Sequence, residues 1–143
     1  MGSSQNVNMW YNIPMSVKFD VYPTQCNLCG GVVEYKRMES IGIRPYQSGY
    51  CYICTSCNAY VGTHRKKPKE ALGLLADSAT RHLRVICHDE FDKHWYTLAG
   101  RNRAYYRLSL DLGIKPEDCH FAHMDEDTLL RALDFMQDWG NFK

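Results

Sequence analysis

Cys26-Asn27-Leu28-Cys29-Gly30-Gly31, followed after a spacer by Cys51-Tyr52-Ile53-Cys54-Thr55-Ser56-Cys57-Asn58-Ala59-Tyr60-Val61-Gly62-Thr63-His64, is the stretch on which the fold of this chain turns. Each half carries a Cys-x-x-Cys pair. A tight turn of that spacing aims two sulfurs at a common ion about 2.3 Å away, and a spacer long enough for one strand out and one strand back sets the second turn opposite the first. The pattern calls for one structural Zn2+ held by Cys26, Cys29, Cys54 and Cys57. Cys51 also stands three residues before Cys54, so Cys51/Cys54 is another way to choose the later pair. Cys54/Cys57 is preferred because Tyr50 to Ile53 serves better as a strand than as a turn.

Around the cysteines the residues read as short strands. Met15 to Tyr22 alternates apolar and polar and stops at Pro23, Val32 to Met38 forms a second run, and Tyr50 to Ile53 and Tyr60-Val61 follow. Glu39 to Ser48, with Gly42, Pro45 and the following Gly49, reads as a loop or wide turn. Two knuckles, each with its hairpin, sharing one ion make a zinc ribbon.

Beyond it, His64-Arg65-Lys66-Lys67-Pro68-Lys69 is a basic connector and the expected boundary. Pro68 is suited to open a short helix through Leu75, and Asp77 or Ser78 to cap a longer one in which Ala79, Leu83, Ile86, Cys87, Phe91 and Trp95 form the buried stripe. Glu90 and His94 lie four apart and are placed to pair. Gly100 breaks the helical pattern, Asn102 is the expected cap of the next helix with Tyr105, Leu108 and Leu112 inward, and Gly113 ends it. Asp125 caps a last amphipathic helix carrying Leu129, Leu130, Leu133, Phe135 and Met136, and Gly140 closes it. The expected fold class is therefore α+β: residues 1–14 a flexible tail, 15–64 the zinc ribbon, and 65–143 a half of three to four helices packed on the ribbon as one unit.

At 143 residues, with 45% apolar content, the chain is the size of one domain with a packed core. The formal charge of +1 gives no global argument for a polyanion. Its distribution is uneven, since residues 60–108 hold ten Lys/Arg against five Asp/Glu and residues 109–143 three against eight. Seven cysteines is an odd number for a disulfide framework, and the opening residues lack the apolar core of a secretory leader. A reducing, cytoplasmic setting is expected. No apolar run approaches the roughly 20 residues that cross a bilayer, so no membrane association is expected.

Further groupings stand out. Arg65, Lys66, Lys67, Lys69, Arg101, Arg103 and Arg107, with tyrosines interleaved, suit phosphate contact and base stacking. Leu108 to Pro116 has the rhythm of the first helix and turn of a helix-turn-helix, although the segment that follows is acidic where phosphates would approach. His88 and Asp92 share a helical face, and with His120 they are the candidates for general-base chemistry; an ordinary surface ion pair explains His88 and Asp92 as well. Cys87, Cys119, His94 and His123 offer further ligand atoms, but buried thiols beside hydrogen-bonded histidines are the simpler reading. His64 is close enough in sequence to stand behind the metal ligands, although an exposed histidine in a basic loop is more usual.

The ordered motifs Cys-x-x-Cys-Asn-Ala-Tyr-Val-Gly-x-His at 54–64, Ala71-Leu72-Gly73, His88-x-x-Phe91-Asp92-x-x-Trp95, Arg103-Ala104-Tyr105, Leu112-Gly113-Ile114 and Cys119-His120-Phe121 resemble the small zinc-finger-containing protein family common in phages and bacterial mobile elements. The resemblance spans about residues 24–136. It implies one zinc on Cys26, Cys29, Cys54 and Cys57, with Cys51 where the family has no fixed cysteine. It also implies that His64, His88, Asp92, Trp95 and His120 occupy motif positions, without giving them a reaction, while His123 departs from the pattern. The expected function is a zinc-binding, phage-type protein acting as a nucleic-acid-binding module in the cytoplasm, that of the host if phage-encoded, and not an enzyme. The alternatives are a protein-interaction module that inhibits a host enzyme or defence system, and a nucleic-acid hydrolase using His88, Asp92 and His120.

Overall fold

A computed structural model describes residues 19–140. The chain forms two compact units, Phe19–His82 and the residues from Leu83 on.

The first unit is built on a three-stranded antiparallel sheet, β1 (Val33–Arg37), β2 (Tyr50–Cys54) and β3 (Tyr60–Gly62), in sequence order. β1 meets β2 with Val33 opposite Cys54 and Tyr35 opposite Tyr52, and β2 meets β3 with Cys51 opposite Gly62. The strand expected over residues 15–22 lies outside the described residues as far as 18. Phe19 to Tyr22 is irregular, with the Val21 carbonyl accepting from the Ala71 amide at 2.8 Å.

The short helix expected from Pro68 to Leu75 does not form. That segment instead runs along β3 through isolated bridges, Thr63 to Ala71 and Tyr60 to Ala76, with Tyr60 and Ala76 exchanging both amide bonds at 3.1 and 3.0 Å. The physical reason is the exposed edge: β3 would otherwise leave its outer N–H and C=O groups to any strand that came by. Residues past His64 therefore belong to the ribbon, and the boundary falls inside a helix rather than at the basic connector. Side chains fix the same segment. The Tyr35 and Tyr52 hydroxyls, on one face of the sheet, donate to the carbonyls of Pro68 and Lys69 at 2.6 and 2.5 Å. The Asn27 amide donates to the Leu75 carbonyl and accepts from its N–H, both at 3.0 Å, so one side chain imitates a strand neighbour. Ala71 and Leu75 can then enter the core beside Tyr52, Ala59 and Val61.

The helices are α1 (Ser78–Phe91), α2 (Leu98–Leu112) and α3 (Glu126–Asp138). Asp77 caps α1 as expected, accepting from the Thr80 amide at 2.8 Å, and that bond holds its carboxyl below the usual range. α1 ends at Phe91 and passes into a 3-10 turn, Asp92–His94, so Trp95 stands beyond the helix. Its buried stripe is Leu83, Cys87 and Phe91, while Ala79 and Ile86 face outward. α2 starts earlier than Gly100 and Asn102 suggest. Thr97 caps it by accepting from the Gly100 amide at 3.0 Å, which puts Gly100 and Asn102 inside the first turns. Gly113 ends it in the left-handed region at φ 73°, where a side chain would be strained. No recognition helix follows, since Pro116–Asp118 and Phe121–His123 are single 3-10 turns. Asp125 caps α3 through the Thr128 amide at 3.0 Å. Leu108 and Leu112 of α2, Leu129, Ala132 and Met136 of α3, and Phe121 and Met124 between them close this core. No helix among the described residues is long and apolar enough to cross a membrane.

Asn27→Ala removes both bonds to Leu75 and leaves that backbone without its pairing partner. It is expected to lower stability in urea unfolding by about 2 kcal/mol while zinc content stays unchanged.

Candidate metal centre

The two knuckles are built alike, residue for residue. In the first, the Gly30 amide donates to the Cys26 carbonyl at 2.9 Å and the Cys26 amide to the Gly31 carbonyl at 2.8 Å. In the second, Asn58 donates to the Cys54 carbonyl at 3.1 Å and Cys54 to the Ala59 carbonyl at 2.9 Å. The residue after the last cysteine of each is left-handed, Gly30 at φ 80° and Asn58 at φ 67°. Glycine takes that conformation freely, and asparagine is one of the few other residues that does so routinely.

This turn brings amide protons onto the sulfurs. Leu28 donates to Cys26 Sγ at 3.3 Å, Gly31 to Cys29 Sγ at 3.4 Å, and Ser56 and Cys57 to Cys54 Sγ at 3.3 and 3.4 Å. Such bonds favour the thiolate, which is the form that binds metal. The N–H of Cys57, with that of Ser56, brings the Cys54 thiol down to about 6. The four Sγ atoms lie within 4.8 Å of one another. A tetrahedron with sulfurs about 2.3 Å from its centre has edges of about 3.8 Å. Cys26 to Cys57 is 3.7 Å and Cys29 to Cys54 is 3.5 Å, so the donor set fits one Zn2+ in type, number and spacing.

Gly31 matters here for space rather than conformation. A β-carbon on it would stand 2.8 Å from Cys54 Sγ and 2.7 Å from Ser56 Oγ. Cys51 takes no part: it lies outside the four-sulfur cluster, its side chain is fully buried, and burial pushes its thiol to about 11. The later pair is therefore Cys54/Cys57.

A model of a zinc-finger-containing domain family matches residues 22–139. The chain belongs to that family. No curated protein and no solved structure shows a significant match to it. The family description and the cysteine geometry together assign one structural Zn2+ to Cys26, Cys29, Cys54 and Cys57.

The remaining candidates of this zinc-finger-containing chain fall elsewhere. His64 is exposed, and its backbone closes the basic loop by bonding to Glu70 and Lys67. His88 packs edge-on to Phe121 with ring centroids 4.7 Å apart, and burial against it makes the imidazole harder to protonate than usual. Asp92 accepts from the Trp95 indole at 3.0 Å, and His120 lies beside His123, 5.0 Å between centroids. Among the described residues no hydrogen bond joins His88, Asp92 and His120. Glu90 and His94 do pair, at 3.2 Å. Cys87 and Cys119 are buried and pushed by that burial to about 12, where they are poor ligands. Arg65, Lys66, Lys67 and Lys69 are exposed on the first unit. On the second, Arg103 and Arg107 are exposed and Arg101 is half-buried.

Chelation with EDTA, or Cys54→Ser, is expected to abolish zinc binding and unfold the Phe19–His82 unit, seen as loss of amide protection in its strands. Gly31→Ala forces the Cys54 sulfur aside and is expected to weaken zinc retention at least tenfold in competition with a chromogenic chelator. Protons compete for the four thiolates, so zinc affinity, read against the same chelator, is expected to fall steadily as the pH is lowered.

Proposed function

We propose that the protein is a zinc-scaffolded module that binds nucleic acid and performs no chemistry on it. The observation that carries this reading is where its cations rest. None of Arg65, Lys66, Lys67, Lys69, Arg101, Arg103 and Arg107 forms an ion pair among the described residues. Several lie over aromatic rings instead: Lys69 is 4.6 Å from the centre of Tyr35, Arg101 is 5.0 Å from that of Tyr105, and Arg107 is 4.6 Å from that of Trp139. A cation held by a ring keeps its charge available to phosphate, whereas one neutralised by a carboxylate does not. Paired rings and guanidinium groups also supply the two elements of a nucleic-acid surface, stacking planes and phosphate partners.

A second reading, docking on a partner protein, draws on the outer face of α2, where Leu98, Tyr106 and Leu110 follow one another at steps of four or eight residues and are more than half exposed. The nucleic-acid reading is preferred because it accounts for the unpaired charge as well as for exposed rings.

Fluorescence anisotropy against labelled DNA is expected to show affinity falling steeply with salt. The combined change Lys66→Glu, Lys67→Glu and Arg103→Glu should weaken binding and reduce the salt slope by about one for each cation in contact with phosphate. Affinity indifferent to both salt and these changes sinks the reading. A partner retained from lysate after complete nuclease digestion, and lost on Tyr106→Glu, favours the protein-docking alternative.

A further inference from the structure

The helical unit contains a groove of about 470 Å³ between the turn that precedes α2, the first turns of α2 and the residue that follows α3. That volume lies in the range of sites that enclose a small ligand or one unit of a larger one. Its walls are aromatic, Trp95, Tyr96 and Trp139, and its charged residues are Arg103 and Arg107, with His94 deeper in and no carboxylate in the lining. A flat ring with an anionic group beside it is what such a lining complements.

Both indoles are held from behind. Trp95 Nε1 donates to Asp92 at 3.0 Å and Trp139 Nε1 to Asp111 at 2.8 Å, and neither carboxylate lines the groove. The rings are thus oriented before a ligand arrives, which lowers the ordering cost of binding. Their N–H groups are already used, so what they offer is π surface and ring edge rather than a hydrogen-bonding code. Arg107 lies over the Trp139 ring and adds a planar guanidinium to that wall. Gly100 keeps the floor open: a β-carbon there would come within 3.3 Å of Thr97 Oγ1 and 3.7 Å of the Arg103 guanidinium. At the lip Tyr96 is 70% exposed, presenting a ring to solvent.

We infer that this groove takes an unpaired base of single-stranded nucleic acid, stacked against Tyr96 and the fixed Trp95 indole, with the adjoining phosphate on Arg103 and Arg107. The inference rests on the nucleic-acid reading above and narrows it to single strands with little sequence preference, because every base has a π face and the pinned indoles read no edge. A duplex keeps its bases stacked on one another and cannot insert one without unpairing it.

The test uses the zinc-loaded full chain, a labelled oligothymidylate of about 12 nucleotides and a blunt duplex of the same length. Tyr96→Ala is the principal variant, with its unfolding midpoint measured alongside, and Tyr96→Phe is the control that keeps the stacking plane. The expected result is a single strand bound at least about tenfold tighter than the duplex. Tyr96→Ala should lower that affinity by about fivefold or more without altering the salt slope, and Tyr96→Phe should restore it. Equal or tighter binding of the duplex, or a single-strand affinity that ignores Tyr96→Ala while still falling on Lys66→Glu and Lys67→Glu, overturns the groove and leaves the broader reading standing. Failure to bind either probe overturns both.

Discussion

Four sulfur atoms drawn from two turns must reach one point, and the first unit is arranged around that requirement. Each turn satisfies it with the same backbone course: a left-handed residue after the second cysteine and amide protons aimed back at the sulfurs. β1 leaves one knuckle and β2 enters the other, so closing the metal site fixes the register in which Val33 faces Cys54. A sheet of three short strands has little core of its own, and the ion supplies the cohesion that its buried area does not. The segment 65–76 then covers the open edge, held by Asn27 and by the Tyr35 and Tyr52 hydroxyls.

The helical unit is held together differently. Its cohesion comes from an apolar core and from two side-chain caps, Thr97 and Asp125, each accepting an amide bond that the first turn of a helix leaves open. Around His88 and His120 the contacts are ring against ring. Around Trp95 and Trp139 the carboxylates stand behind the rings and the guanidinium groups in front. That asymmetry is what makes the groove electrostatically suited to an anion, in a protein whose net charge of +1 says nothing on the matter.

The parts legible in the residues were those that depend on local chemistry. Paired cysteine spacing, the strand that follows Gly31, the Asp125 cap and the Gly113 stop each need only a few neighbouring residues, and each was readable. Errors arose where a distant segment decided the outcome. Pro68 to Leu75 carries a fair helix start, but the unpaired edge of β3 outcompetes it. Gly100 looked like a break, yet the Thr97 hydroxyl, three residues back, caps a helix that runs through it. Gly30 and Gly31 stand side by side in the sequence, but Gly30 supplies the left-handed backbone and Gly31 the room beside Cys54. The use of Asn27 left no signal, because an asparagine between two cysteines looks like any other turn residue until Leu75 stands opposite it.

By itself the sequence determined the metal, its four ligands as the preferred set, and the α+β class, because a soft tetrahedral ion accepts few donor sets and those donors were spaced for it. It also placed the cations and tyrosines along the chain. Only the tertiary structure decided that Cys51 is a core thiol, that residues past His64 complete the ribbon, and that Asp92 and Asp111 pin two indoles at a groove free of carboxylates. Those outcomes depend on which surfaces meet across long separations in the chain, and spacing along a sequence does not encode such meetings one residue at a time.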